Sequence, residues 1–152
     1  MNYAFYGQAI TTDRAAARLD RARQRAEAAA RVQRVGGRIV VEYFDVYRDR
    51  YTGLGYRRQA RRLLAATQDE KRAFDALIIA DRYTALTANQ YGDLLFICHE
   101  HGFQLWLPEI DEAVDADNPE HQAVMMDLFW GPAPRFMSQS PTIMSSATED
   151  QT

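Results

Sequence analysis

Apolar positions alternate between two periods along the chain, and the alternation outlines the fold. Tyr3–Ile10 is a nearly continuous apolar run, which predicts a buried first strand. Thr11, Thr12 and Asp13 follow as candidate N-caps. "RAAARLDRARQRAEAAARVQRV" then carries a stripe at Leu19, Ala22, Ala26, Ala29 and Val32, a helical spacing, and Gly36 and Gly37 end it. "RIVVEYF" is β-branched and aromatic and predicts a second strand. "DVYRDRYTGLGY" reads as a loop and "RRQARRLLAATQ" as a short helix. "FDALIIAD" predicts a buried parallel strand. "LTANQYGDLLFICHEHG" predicts a helix capped near Thr87 and stopped by Gly102. "FQLWLP" is a further strand, "EIDEAVDADN" an acidic loop, and "PEHQAVMMDLFW" a helix with proline in its first turn.

Strands alternating with helices imply an α/β fold: a mostly parallel central sheet of four to five strands with helices on both faces. The organised domain is expected over residues 1–130. From Gly131 onward the chain is Ser/Thr/Pro-rich without periodicity, and 131–152 is expected to form a disordered tail.

Composition narrows the function classes. A chain of 152 residues supports one domain with a core. Its net charge of −3 gives no global basic field, so contact with nucleic acid would need a local patch. The basic residues are nearly all arginine, with Lys71 the sole lysine. A single cysteine, Cys98, excludes an internal disulfide. The first ten residues lack a basic n-region and a long apolar run, and no stretch approaches the length that spans a bilayer. A cytoplasmic protein without membrane contact is the expectation.

Local clusters add little on their own. In "CHEH", only Cys98 and His101 share a helical face, and two ligands do not make a metal site. The acidic run Glu109–Asp117 lacks the glycine and terminal glutamate of a calcium loop. Neither predicts a metal, and no cofactor is expected. "RRQARR" places Arg57, Arg58, Arg61 and Arg62 within one and a half helical turns, either a DNA-phosphate patch or a solvated basic face. Trp106, Phe129 and Trp130 read as core or as an oligomer contact.

The order of motifs resembles the catalytic domain of serine recombinases, the resolvase/invertase family, and most closely its actinobacterial branch. "YGQAIT", Tyr6 to Thr11, occupies the place of the family's Tyr-x-Arg-Val-Ser-Thr strand end. Gln24-Arg25 matches a Gln-Arg pair in the first helix, and Asp45 an aspartate after the second strand. "RRQARRLL" matches Arg-Pro followed by Leu-Leu, with Arg58 at the arginine and Gln59 in place of proline. "DRYTA" keeps Asp81 and Arg82 of Asp-Arg-Leu-x-Arg but has Ala85 at the second arginine. "ANQYGDL" and "GFQLWLPEIDEAVDADNPEHQAVM" are similar to the actinobacterial branch, and the whole match runs from Tyr3 to about Trp130.

The resemblance implies a resolvase-like fold and a serine hydroxyl that attacks a DNA phosphodiester within a cluster of arginines. Here the nucleophile's position is Ile10, which has no oxygen, and the arginine two residues earlier is the neutral Gln8. Arg58 and Arg82, with Asp81 beside them, remain as candidates for a phosphate pocket. Gly131-Pro132-Ala133-Pro134 is expected to interrupt the helix that carries further contacts in the family, and no DNA-reading domain is expected to follow. Thr11 and Thr12 are candidate substitute nucleophiles, although no His or Lys lies near them in sequence and capping explains them equally well. The expectation is therefore a catalytically inactive recombinase-like domain. It would bind DNA, form a homodimer, or pair with a full-length recombinase as a regulator. The alternatives are an active enzyme using a threonine, an oligomeric module that does not touch DNA, and a remnant without a selected function.

Overall fold

The computed structural model describes residues 1–49, 51–80 and 87–130. The expected tail over 131–152 lies outside the described residues. Four parallel strands form the sheet: β1 (Asn2–Ile10), β2 (Arg38–Tyr47), β3 (Ala76–Ile79) and β4 (Gln104–Trp106), in the order β2-β1-β3-β4. Helix α1 (Arg14–Arg34) joins β1 to β2, and a 3-10 turn (Leu54–Tyr56) and α2 (Arg58–Thr67) join β2 to β3. Helix α3 (Ala88–His101) precedes β4, and α4 (Pro119–Trp130) follows it. The α/β architecture with a parallel sheet is as the sequence pattern implies. Among the described residues no helix is long and apolar enough to cross a membrane.

β1 is buried along nearly its whole length because it is central and covered on both faces. Side chains alternate across the sheet. Ala4 and Tyr6 join the larger core beneath α2 and α3, with Leu63, Leu77, Ile79, Leu94 and Leu105. Tyr3 and Phe5 join a smaller core beneath α1, with Ala28, Val32, Ile78 and Trp106. Tyr3 and Trp106 meet edge to face at 5.7 Å. Trp106 is thus core, while the side chains of Phe129 and Trp130 are not among those described.

Two local expectations change. First, β2 does not end at Phe44: it continues through Asp45, Val46 and Tyr47, pairing with Gln8, Ala9 and Ile10 of β1. Asp45 is tolerated in a strand because its carboxylate is fully engaged on the buried face. Second, the face of α1 that packs on the sheet is Ala17, Gln24, Ala28 and Val32, whereas Leu19 is 75% exposed. A close approach to β1 favours small residues over leucine: a Cβ on Gly7 would lie 2.5 Å from Gln24 Oε1. Of the three candidate N-caps of α1, Asp13 fills the role: its Oδ1 accepts from the Ala15 N–H at 2.9 Å.

The cap of α3 agrees with its sequence signals. Thr87 and Gln90 form a reciprocal capping box, and Gly102 closes the helix with φ of 65°, a left-handed conformation suited to glycine. Cys98 is buried on this helix, and burial pushes its thiol up to about 12. His99 is exposed and His101 half-buried. Among the described residues no group of three or more His, Cys, Asp or Glu side chains converges.

Candidate functional site

Where α1 leaves β1 on one face of the sheet and α2 packs on the other, the carboxyl end of β1 faces a topological switch point, the usual place for a ligand in an open α/β sheet. Gln8 and Ile10 point to the α2 side there by the two-residue period of the strand. Gln8 is fully buried and Ile10 half-buried.

Gln8 meets Arg57. The Arg57 guanidinium donates from Nη1 to Gln8 Oε1 and, at 3.2 Å, to the Tyr6 hydroxyl. Its Nη2 donates to Gln90 Oε1 at 3.0 Å and its Nε to the Thr52 carbonyl at 2.8 Å. Arg57 has no exposed surface and is the largest fully buried side chain among the described residues. These oxygen acceptors lie on β1, the loop after β2 and α3, so the fork geometry of arginine ties three elements to the start of α2.

Asp45 builds the next layer. Its carboxylate accepts from the Tyr6 hydroxyl at 3.1 Å and from the Gln59 and Ala60 N–H groups at 2.8 and 2.9 Å. Those two amides belong to the first turn of α2, so a strand residue supplies the negative cap that the helix does not carry in its own sequence. Tyr6 bridges the two charges, donating to Asp45 and accepting from Arg57. Burial raises its pKa above the ordinary value; Asp45 adds to the rise and Arg57 opposes it. The hydroxyl is thus a buried bridge between ions.

Gln90 and Gln24 close the cluster. Gln90 Oε1 also accepts from the Thr87 N–H at 2.9 Å, and its Nε2 donates to Thr52 at 3.0 Å, so one amide caps α3, holds Arg57 and pins the loop after β2. Gln24 reaches through from α1 and donates to the Gln8 carbonyl at 2.9 Å. Arg25, its neighbour, turns outward to Glu42.

The residues singled out from sequence fall into four groups. Gln8 and Ile10 lie at the switch point. Thr11 and Thr12 follow on the turn into α1, where Thr11 Oγ1 accepts from the Asp13 N–H at 3.0 Å and Thr12 is exposed. Asp81, Arg82 and Ala85 lie outside the described residues. Of "RRQARR", only Arg57 turns inward. It is the residue before the helix, with extended backbone (φ −89°, ψ 133°), so its side chain departs toward the sheet. Arg58, Arg61 and Arg62 are exposed on the outer face of α2. The inward arginine is therefore Arg57, one place before the position the motif match assigned. The cluster also includes Tyr6 and Gln90, whose side-chain parts in it the motifs did not indicate. A pattern-based signal existed for Tyr6, since it shares the inner face with Gln8, but none for Gln90 beyond its capping-box spacing.

The chain has the fold of serine recombinase catalytic domains. The N-terminal catalytic domain of TP901-1 integrase superposes with a TM-score of 0.65 at 15% identity, over 84% of this chain and 91% of that one. A resolvase family site-specific recombinase from Streptococcus pneumoniae gives 0.62 at 16% identity, over 83% of each chain. The C-terminal catalytic domain of ISC1926 TnpA, an IS607-like serine recombinase, gives 0.54 at 16% identity, over 83% of this chain and 78% of that one. No model of a protein family matches the sequence, and no curated protein matches it.

Proposed function

We propose that this chain is a serine-recombinase-like domain of site-specific recombination that does not cleave DNA itself, and that it acts by binding DNA or by pairing with a recombinase subunit. The observation that carries the reading is the state of Arg57. A guanidinium that stabilises a phosphoryl transition state must present free donors to the phosphate. Here the arginine beside the strand end is enclosed and its donors are directed at Gln8, Tyr6, Gln90 and Thr52. Ile10, at the position matched to the nucleophile, offers only hydrocarbon, and Gln8 supplies an acceptor where the family motif has a cation. Both changes favour a closed, neutralised cluster over an anion pocket.

The test is incubation with supercoiled plasmid followed by denaturing electrophoresis, together with gel shift and co-purification with a full-length recombinase. The expected result is no nicking and no covalent protein–DNA adduct, with either a DNA shift or a complex. An adduct that disappears in Thr11→Ala or Thr12→Ala would instead make the chain an active enzyme. Absence of adduct, shift and complex together would leave an oligomeric module without DNA binding or a remnant, and would defeat the proposal.

A further inference from the structure

The outer face of α2 carries charge that no described residue neutralises through an ion pair. On α1, Arg23 pairs with Asp20 and Glu27, and Arg21 and Arg25 pair with Glu42. On α2, by contrast, Arg58 and Arg61 form no ion pair with any described residue, and Arg62 touches only the neutral Gln59 Oε1, at 3.3 Å. Positions 58, 61 and 62 share one helical face by their i, i+3, i+4 spacing. Together with Tyr47, Tyr56 and Ala65 they line an open groove of about 460 Å³ that contains no carboxylate. Asp45, the acidic group at this end of α2, faces inward and is spent on the helix amides and Tyr6.

An aromatic ring stands beside this charge. Tyr56 is 86% exposed, yet its backbone is fixed. Its N–H donates to the Gly53 carbonyl at 3.0 Å, and its carbonyl accepts from the Tyr47 hydroxyl at 3.3 Å. The same hydroxyl accepts from the Arg58 N–H at 2.8 Å, so Tyr47 clamps the 3-10 turn to the start of α2. The result is a large exposed ring on a held backbone, next to unpaired guanidinium groups. That is the pairing of features that binds unstacked bases and their phosphates.

We infer that the groove formed by Tyr56, Arg58, Arg61 and Arg62 binds single-stranded nucleic acid, with the arginines on backbone phosphates and Tyr56 stacked on a base. Paired duplex would meet the arginines but bury its base faces, leaving Tyr56 idle. An acidic peptide would likewise use only the charge. The inference rests on the nucleic-acid arm of the proposed function and narrows it to unpaired strands at a surface separate from the Gln8–Arg57 cluster.

The test is fluorescence anisotropy with a labelled oligothymidine, a blunt duplex of equal length and a glutamate-rich peptide as competitor, over a salt series. The expected result is preference for the single strand, with log K falling against log salt at a slope of about −2 for three neutralised phosphates. Tyr56→Ala is expected to weaken single-strand binding about tenfold to a hundredfold. Arg58→Gln with Arg61→Gln is expected to flatten the salt slope. All these side chains are exposed, and unchanged circular dichroism would certify the fold. Duplex binding that survives in both variants would overturn this groove and leave the DNA-binding proposal standing. Failure to bind either nucleic acid would remove both. Displacement of the strand by the peptide with no effect of Tyr56→Ala would assign the groove to an acidic protein segment and overturn the inference.

Discussion

Arginine carries five donors in a rigid fork, and burying it is costly unless the fork is filled. In this chain the Arg57 fork is engaged, with oxygens of β1, the loop after β2 and α3 among its acceptors. Removing it would strand acceptors in a buried site, which costs more than the net value of the bonds themselves. Arg57→Met is therefore expected to lower unfolding free energy by about 2–5 kcal/mol, read from urea denaturation. Tyr6→Phe should cost less, about 1–3 kcal/mol, because Asp45 keeps its two helix amides. The Tyr6 hydroxyl also sets an alkaline limit. Its folded pKa lies above the ordinary 10.0, so its contribution is complete below that pH and is lost as pH climbs from there toward the folded value. A wild-type midpoint that falls steeply above pH 10.0, and less steeply in Tyr6→Phe, is the expected outcome. The sequence made the neutral Gln8 and the hydrocarbon Ile10 plain. It did not reveal which of two adjacent arginines turns inward, because that depends on where α2 begins, and the start is fixed by Asp45 on another element.

Elements here are specified partly by their neighbours. α1 has an Ala-rich sequence that offers several apolar stripes, and the one with leucine looked the most hydrophobic. Proximity decided otherwise: Gly7 lets α1 sit close to β1, and Ala17, Gln24 and Ala28 fit that distance. Gly7→Ala would place a methyl group against Gln24 Oε1 and the Phe5 ring, at 2.5 and 2.8 Å, so a shift of α1 and a loss of about 1–3 kcal/mol are expected by thermal melt. The outward side of the α1–β2 contact is electrostatic. Burial pushes the Glu42 carboxyl up, but hydrogen bonds and charge from Arg25 and Arg21 outweigh it and hold the pKa below its ordinary value. A lowered carboxylate stabilises the fold above the ordinary pKa of 4.5 and loses that effect as pH falls through the folded value. Glu42→Gln should thus narrow the stability difference between neutral and acidic buffer. The α3 and α4 boundaries were legible because capping box, glycine and proline act locally, whereas the true end of β2 was not, since a buried aspartate is unusual in a strand.

For the whole molecule, sheet order and the direction of the strands place the Gln8–Arg57 cluster at the carboxyl end of the central strand, and the proposed loss of cleavage turns on whether that cluster could be reopened. Ile10→Ser combined with Gln8→Arg would rebuild the family motif on paper. The structure argues against recovery for an energetic reason. Gln8 is an acceptor for Arg57 in a fully buried site, and an arginine there would set two guanidinium groups against each other while removing one partner. Asp45 cannot compensate, because its carboxylate is already shared by Tyr6 and two α2 amides. Either the new arginine is expelled toward solvent or Arg57 is displaced and the Thr52 and Gln90 contacts go with it. The double variant is expected to melt well below the parent, by about 2–4 kcal/mol of stability, and to form no covalent adduct on supercoiled plasmid. Adding Arg57→Gln should then relieve the repulsion and recover part of the loss, since coupled sites are non-additive. Nicking by the double variant at parental stability would show that the cluster is an open anion pocket after all, and the closed-cluster account of this chain would fall.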